Sequence, residues 1–188
     1  MAIAPSQPTK AARLYLTEAE ILRLMTVAHS SRHGKRDKAM IWTGFRHGLR
    51  CGELLFLKWS QFDFSGRQLH IHRLKQGTPA IHPLEEKEIR LIKALRGKSE
   101  SEYVFTTDQG GPLSARAFRK IMAVLGLRAG LPPPTHPHQL RHACGFALAA
   151  RGVDLRAIQV YLGHRSITHT IRYTELSPDR FKSIWNES

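Results

Sequence analysis

Late in the chain, His138, Arg141 and His142 fall within about one helical turn. His164 follows Leu162-Gly163, and Tyr173 comes nine residues after it. Residues of these types, in this order, can bind the charge of a phosphate, carry protons and present a phenol as nucleophile. Arg50 and Lys75 lie upstream. With them the chain holds the groups needed to cut a nucleic-acid backbone without a metal. An arginine offers phosphate a planar fork. Two of them, Arg50 and Arg141, would clamp a phosphodiester and favour the pentacoordinate transition state, whose equatorial oxygens gain negative charge. A phenol with an ordinary pKa of about 10 needs a base or cation beside it. His138 or His164, with the two arginines, would supply that, and Lys75 could protonate the departing sugar oxygen.

Taken singly, each residue has a plainer use. Arg50 can pair with Glu53 one turn on, at a surface. Leu162-Gly163-His164 can be only a left-handed helix cap, and Tyr173 can simply pack. A lysine on a hairpin can serve to keep a sheet edge unpaired. His136, His138 and His142 also invite a zinc reading, since His138 and His142 have the i, i+4 spacing of metal ligands. No carboxylate lies between them, however, and no cysteine completes a tetrahedral set. The pair His70 and His72 is weaker still. Neither a metal nor a cofactor is expected.

These residues need elements to hold them. Thr17-Glu18-Ala19-Glu20 reads as a capping box. The helix it opens carries Ile21, Leu22, Met25 and Ala28 on one stripe. After a polar loop from Ser30 to Arg36, a helix runs from about Asp37 to His47 and breaks at Gly48. Another is expected from Arg50 to Leu57, packed through Leu54, Leu55 and Leu57. The period then changes. The segment from Gln68 to Leu74 alternates as a half-buried strand does, Gln76-Gly77 marks a turn, and Pro79 to Leu84 returns. Helices follow over Glu85–Leu95 and Ser114–Arg128, and Leu131 to Pro134 is a rigid connector. From His138 the chain is helical in short pieces, with Asp154 as N-cap of a helix ending near Gly163. The expected fold is mainly α with a small antiparallel β-sheet: a flexible tail over residues 1–16, then one domain over 17–188.

Bulk properties agree with a nucleic-acid partner. The chain of 188 residues has 29 Lys and Arg against 15 Asp and Glu, a formal charge of +14. A charge of that size draws a protein to polyanions. No long basic amphipathic helix points to a membrane surface, and no apolar run approaches spanning length. No signal peptide is expected from the N-terminal residues. Cys51 and Cys144 lie in apolar helical patterns and are expected as buried thiols, which fits a reducing, cytoplasmic setting.

In their joint order the motifs resemble those of the tyrosine recombinases, or phage-integrase family. The resemblance rests on Gly48-Leu49-Arg50-Cys51-Gly52-Glu53-Leu54, His138-Gln139-Leu140-Arg141-His142, and Leu162-Gly163-His164 through Thr170-Ile171-Arg172-Tyr173, and it runs from about Leu16 to Trp185. It implies catalytic roles for Arg50, Lys75, His138, Arg141 and His164, with Tyr173 as nucleophile and Glu53 as the acid that steadies Arg50. Finer detail, in Ile71 to Lys75, Ile81 to Leu84 and Cys144 to Leu148, is similar to the short invertases of the type 1 fimbrial switch. Like them, the chain is expected to lack a separate N-terminal DNA-gripping domain. The resemblance implies strand exchange through a 3′-phosphotyrosyl link between specific double-stranded DNA sites, by a homotetramer assembled on DNA. It also implies inversion, integration or excision as the outcome. Ser177 to Trp185 would pack on a neighbouring protomer. Two other readings use the same residues: a basic DNA-binding regulator without catalysis, and a type IB topoisomerase-like enzyme that relaxes DNA without exchanging partners.

Overall fold

The computed structural model describes residues 15–73, 79–97 and 100–175, with side chains to Tyr173. Lys75, most of the expected tail and the segment Ser177 to Trp185 lie outside the described residues.

Helix α1 (Glu18–His29) starts where the sequence motif requires. The Thr17 N–H donates to Glu20 Oε2 at 2.8 Å, and the Glu20 N–H donates back to Thr17 Oγ1 at 3.3 Å. Ile21, Leu24, Met25 and Ala28 are buried, whereas Leu22 is 47% exposed. Leu22 follows Ile21 by a single residue, about 100° around the helix, and so leaves the stripe that Leu24 joins. Leu16 is buried, and the Tyr15 ring stacks on Phe146 at 3.8 Å. Both residues were expected in the tail; apolar packing ties them to the domain.

Helix α2 (Gly34–Arg46) begins inside the expected loop and packs on α1. Helix α3 (Cys51–Leu55) is shorter than its apolar run suggested, because the chain turns at Phe56; Leu54, Leu55 and Leu57 are buried all the same. Cys144 is buried, but Cys51 is only partly covered, so the expectation of two buried thiols holds for one; both are free.

Three antiparallel strands follow in the order β1 (Phe62–Asp63), β2 (Gln68–Ile71), β3 (Ala80–Pro83). The short first strand has no alternation to announce it. In β2, Leu69 and Ile71 point inward, as alternation predicts. In β3 the polarity is reversed: Ile81 is 60% exposed and His82 only 2%. Register explains this, since His82 lies opposite the buried Leu69. A polar chain receives it. His82 Nδ1 lies 3.1 Å from His47 Nδ1, and His47 Nε2 lies 2.9 Å from Glu88 Oε1. The His82 ring also stacks on Tyr161 at 3.7 Å.

Helix α4 (Glu86–Lys93) contributes Glu88 to that chain. Helix α5 (Ala115–Arg128) is capped by Ser114. Helix α6 (His138–Ala150) packs against α2, α7 (Leu155–Leu162) and α8 (Thr168–Glu175). The core gathers Ile21, Leu24, Met40, Ile41, Leu54, Leu69, Phe105, Phe118 and Leu140 between these helices and the inner sheet face. Among the described residues, no helix is long and apolar enough to cross a membrane.

Candidate active site

Four local devices bring the functional side chains together. Arg50 occupies the N-cap of α3 with extended backbone, so its side chain leaves the helix at the end. Glu53, one turn on, reaches back. Its Oε2 accepts from the Arg50 N–H at 2.9 Å and its Oε1 from Arg50 Nη1 at 2.8 Å. On α6, His138, Arg141, His142 and Gly145 share one face by their i, i+3, i+4, i+7 spacing. Helix α7 ends on Gly163 in the left-handed conformation, φ 65°, where a side chain is disfavoured; the turn delivers His164. His164 Nδ1 lies 2.9 Å from Thr170 Oγ1, which fixes the ring. Helix α8 then carries Arg172 and Tyr173.

Arg50, His138, Arg141, His142, His164, His169, Arg172 and Tyr173 line one cavity of about 210 Å³. Five of the six residues singled out from sequence therefore converge; the sixth, Lys75, is outside the described residues. Arg50 and Arg141 sit on the same side of the molecule. Arg141 is 2% exposed. Its Nη2 donates to the Leu162 carbonyl at 2.8 Å and its Nη1 to that of Gly48 at 2.5 Å. Arg50 Nη2 makes a longer contact, 3.4 Å, with the Gly163 carbonyl.

Tyr173 is the nucleophile candidate, and it is 2% exposed. Its ring meets Phe146 edge-on at 5.1 Å and lies over the backbone of Gly145. A Cβ at Gly145 would stand 2.5 Å from Tyr173 Cζ, so only glycine leaves room for the ring. The phenol oxygen lies 3.3 Å from His142 Nδ1. The sequence reading named His138 or His164 as the base; the ring in reach of the hydroxyl is that of His142. His138 stands against His142, ring centres 4.4 Å apart. The sequence signal for His142 is its i, i+4 relation to His138, which places both rings on one face of α6. Among the described residues no three His, Cys, Asp or Glu side chains gather as metal ligands.

The site is strongly positive, and its titration reflects this. Burial, then the charges of His138, Arg172 and Arg141, pushes His142 down to about 4. Burial, then Arg141 and Arg50, pushes His164 down to about 3. His138 is lowered mainly by burial. His142 and His164 are therefore neutral near pH 7. Arg141 falls to about 10 through burial and the nearby Arg50 and Arg73, and it stays charged. Burial raises the Tyr173 phenol above its ordinary value, while Arg141 and Arg172 oppose the rise. The phenol is thus protonated at rest beside a neutral imidazole.

This geometry suits attack of a phenol on a phosphodiester. The sequence model of the phage integrase family matches residues 14–180. The chain is similar to the type 1 fimbriae regulatory protein FimB of Escherichia coli strain K12, 42% identical over 94% of this chain and 91% of the relative. The type 1 fimbriae regulatory protein FimE of the same strain is 38% identical over 94% and 92%. Among solved structures, the XerA recombinase superposes with a TM-score of 0.78 at 26% identity. That match covers 96% of this chain but 64% of that longer one. The chain belongs to the phage integrase family, the tyrosine-type site-specific DNA recombinases.

Proposed function

We propose that Tyr173 attacks a DNA backbone phosphate within the cavity that Arg50, Arg141 and His164 line. The phenol oxygen forms a bond to phosphorus, the bond to the 5′ oxygen breaks, and a 3′-phosphotyrosyl link with a free 5′-hydroxyl results. His142 accepts the phenol proton. Arg50 and Arg141 stabilise the charge gathering on the equatorial oxygens, and His164 Nε2 donates to one of them. Lys75, two residues beyond Arg73 in sequence, protonates the leaving oxygen as general acid. Attack by a partner strand's hydroxyl reverses the steps. The link conserves the bond, so neither ATP nor a redox group is required. The guanidinium charges take the part a metal plays elsewhere. The protein would act in the cytoplasm, inverting a DNA segment between two specific sites. Four protomers would hold two duplexes. The observation that carries this reading is the convergence of both arginines, His138, His164 and Tyr173 on one cavity.

The test starts from fragmented genomic DNA of the source organism, incubated with the protein and stripped with detergent. Covalent adducts are collected and their DNA sequenced. A single recurrent junction sequence, with no adduct formed by Tyr173→Phe, is the expected result. Adduct formation that survives Tyr173→Phe would remove Tyr173 from the nucleophile role. DNA binding with no adduct from the wild-type protein would favour a regulator, and adducts at unrelated sequences a relaxing enzyme.

A further inference from the structure

Arg73 stands behind the catalytic arginines without facing the cavity. It follows β2, and its guanidinium is wholly buried. Its Nη1 donates to Glu53 Oε2 at 3.0 Å, and its Nη2 donates to the Tyr161 carbonyl near the end of α7. Among the described residues its Nε has no hydrogen-bond partner. The stem passes under the α7 cap, where a Cβ on Gly163 would come within 2.8 Å of that Nε. The Gly163 turn is thus bracketed, with Arg73 packed beneath it and Arg50 reaching its carbonyl.

Glu53 is shared. One oxygen takes Arg50 Nη1, and the other takes both the Arg50 N–H and Arg73 Nη1. A carboxylate paired with Arg50 alone would cancel the charge Arg50 must present to phosphate. With a second guanidinium on the same carboxylate, the trio keeps a net positive charge, and Arg141 adds to it. Burying an arginine has a high desolvation cost, which a plain staple between a strand and a helix end would avoid with an apolar side chain. Resting on the recombinase reading above, we propose that Arg73 is a positioning residue that shares Glu53 with Arg50, so that the site keeps an uncompensated charge for the scissile phosphate. Arg73 does not touch DNA; it acts through Glu53.

The experiment uses the full chain and the duplex recovered as an adduct, synthesised with a nick beside the cleavage point. One form carries the natural phosphodiester. The other carries a methylphosphonate at that position, which has no charge to compensate. Wild-type protein, Arg73→Met and Arg73→Lys are compared for adduct rate on both forms, with duplex binding and thermal unfolding measured alongside. For Arg73→Met the phosphodiester rate is expected to fall on the order of 10- to 100-fold, the scale of a lost charge-assisted hydrogen bond. The loss on the methylphosphonate should be several-fold smaller. Arg73→Lys, which keeps the charge but not the fork, should retain most of the phosphodiester rate; if Arg73→Met does not fold, a large loss in Arg73→Lys would overturn the proposal. Equal losses on the two duplexes would overturn the proposal and leave Arg73 a structural staple. A wild-type protein that cleaves neither duplex would instead count against the recombinase reading.

Discussion

Gly145 gives the sharpest test of how Tyr173 is held. An added Cβ there would lie 2.5, 2.6 and 2.7 Å from Tyr173 Cζ, Cε2 and Cε1. Non-bonded carbons settle at about 3.5 Å or more, so Gly145→Ala must move the ring or the α6 backbone by about 1 Å. Overpacking of this kind costs about 1–3 kcal/mol. Ala in place of Gly inside a helix returns about 1 kcal/mol of propensity, so the net loss of stability is about 0–2 kcal/mol. Catalysis should suffer more, since a misplacement of about 1 Å can cost about a hundredfold in rate. The assay is adduct formation on a nicked duplex under single-turnover conditions, with a melting curve for each protein. The expected outcome is a rate lowered by about 10- to 100-fold with a melting temperature lowered by no more than about 8 °C. An unchanged rate would refute the seating of Tyr173 on Gly145, whatever the melting curve showed.

Two further outcomes follow from the imidazoles. Because His142 is held near 4, the wild-type cleavage rate should be flat from about pH 6 to 9. His142→Ala should be slowed by about 100-fold or more and should then climb with pH as the phenol ionises unaided; a flat profile in the variant would exclude His142 as proton acceptor. Stability should depend on acid as well. His82 is depressed to about 3, chiefly by burial and then by His47, and His142 and His164 to about 4 and 3. The unfolded chain titrates these groups near pH 6.5, so it binds more protons than the native state below that pH. The stability they provide is therefore complete above about pH 6.5 and lost as pH falls toward 3, by at most about 1.4 kcal/mol per pH unit for each group. Denaturant titrations between pH 7.5 and 4.5 check this; a midpoint constant across that range would contradict it.

What was readable in the sequence was local. The capping box at Thr17, the helix face joining His138 to Arg141 and the cap at Gly163 depend on neighbours within a turn or two. What was not readable depends on distant partners. Arg73 gains its meaning from Glu53 and Tyr161, which are 20 and 88 residues away. Gly145 looked like any small helical residue until Tyr173 was placed over it. By residue type alone, β3 would turn Ile81 inward and His82 outward. The register with β2, and the His47–Glu88 chain waiting inside, decided otherwise. Leu22 leaves the buried stripe for a simpler reason, its position about 100° around the helix from Ile21.

Arg141 fastens the turn after α2 to the end of α7 through the carbonyls of Gly48 and Leu162, from a position inside the pocket itself. On the proposed mechanism, one guanidinium would serve as both scaffold and reagent. No replacement at 141 can remove the chemistry and spare the architecture. An inactive form that keeps its shape has to be sought at the phenol instead.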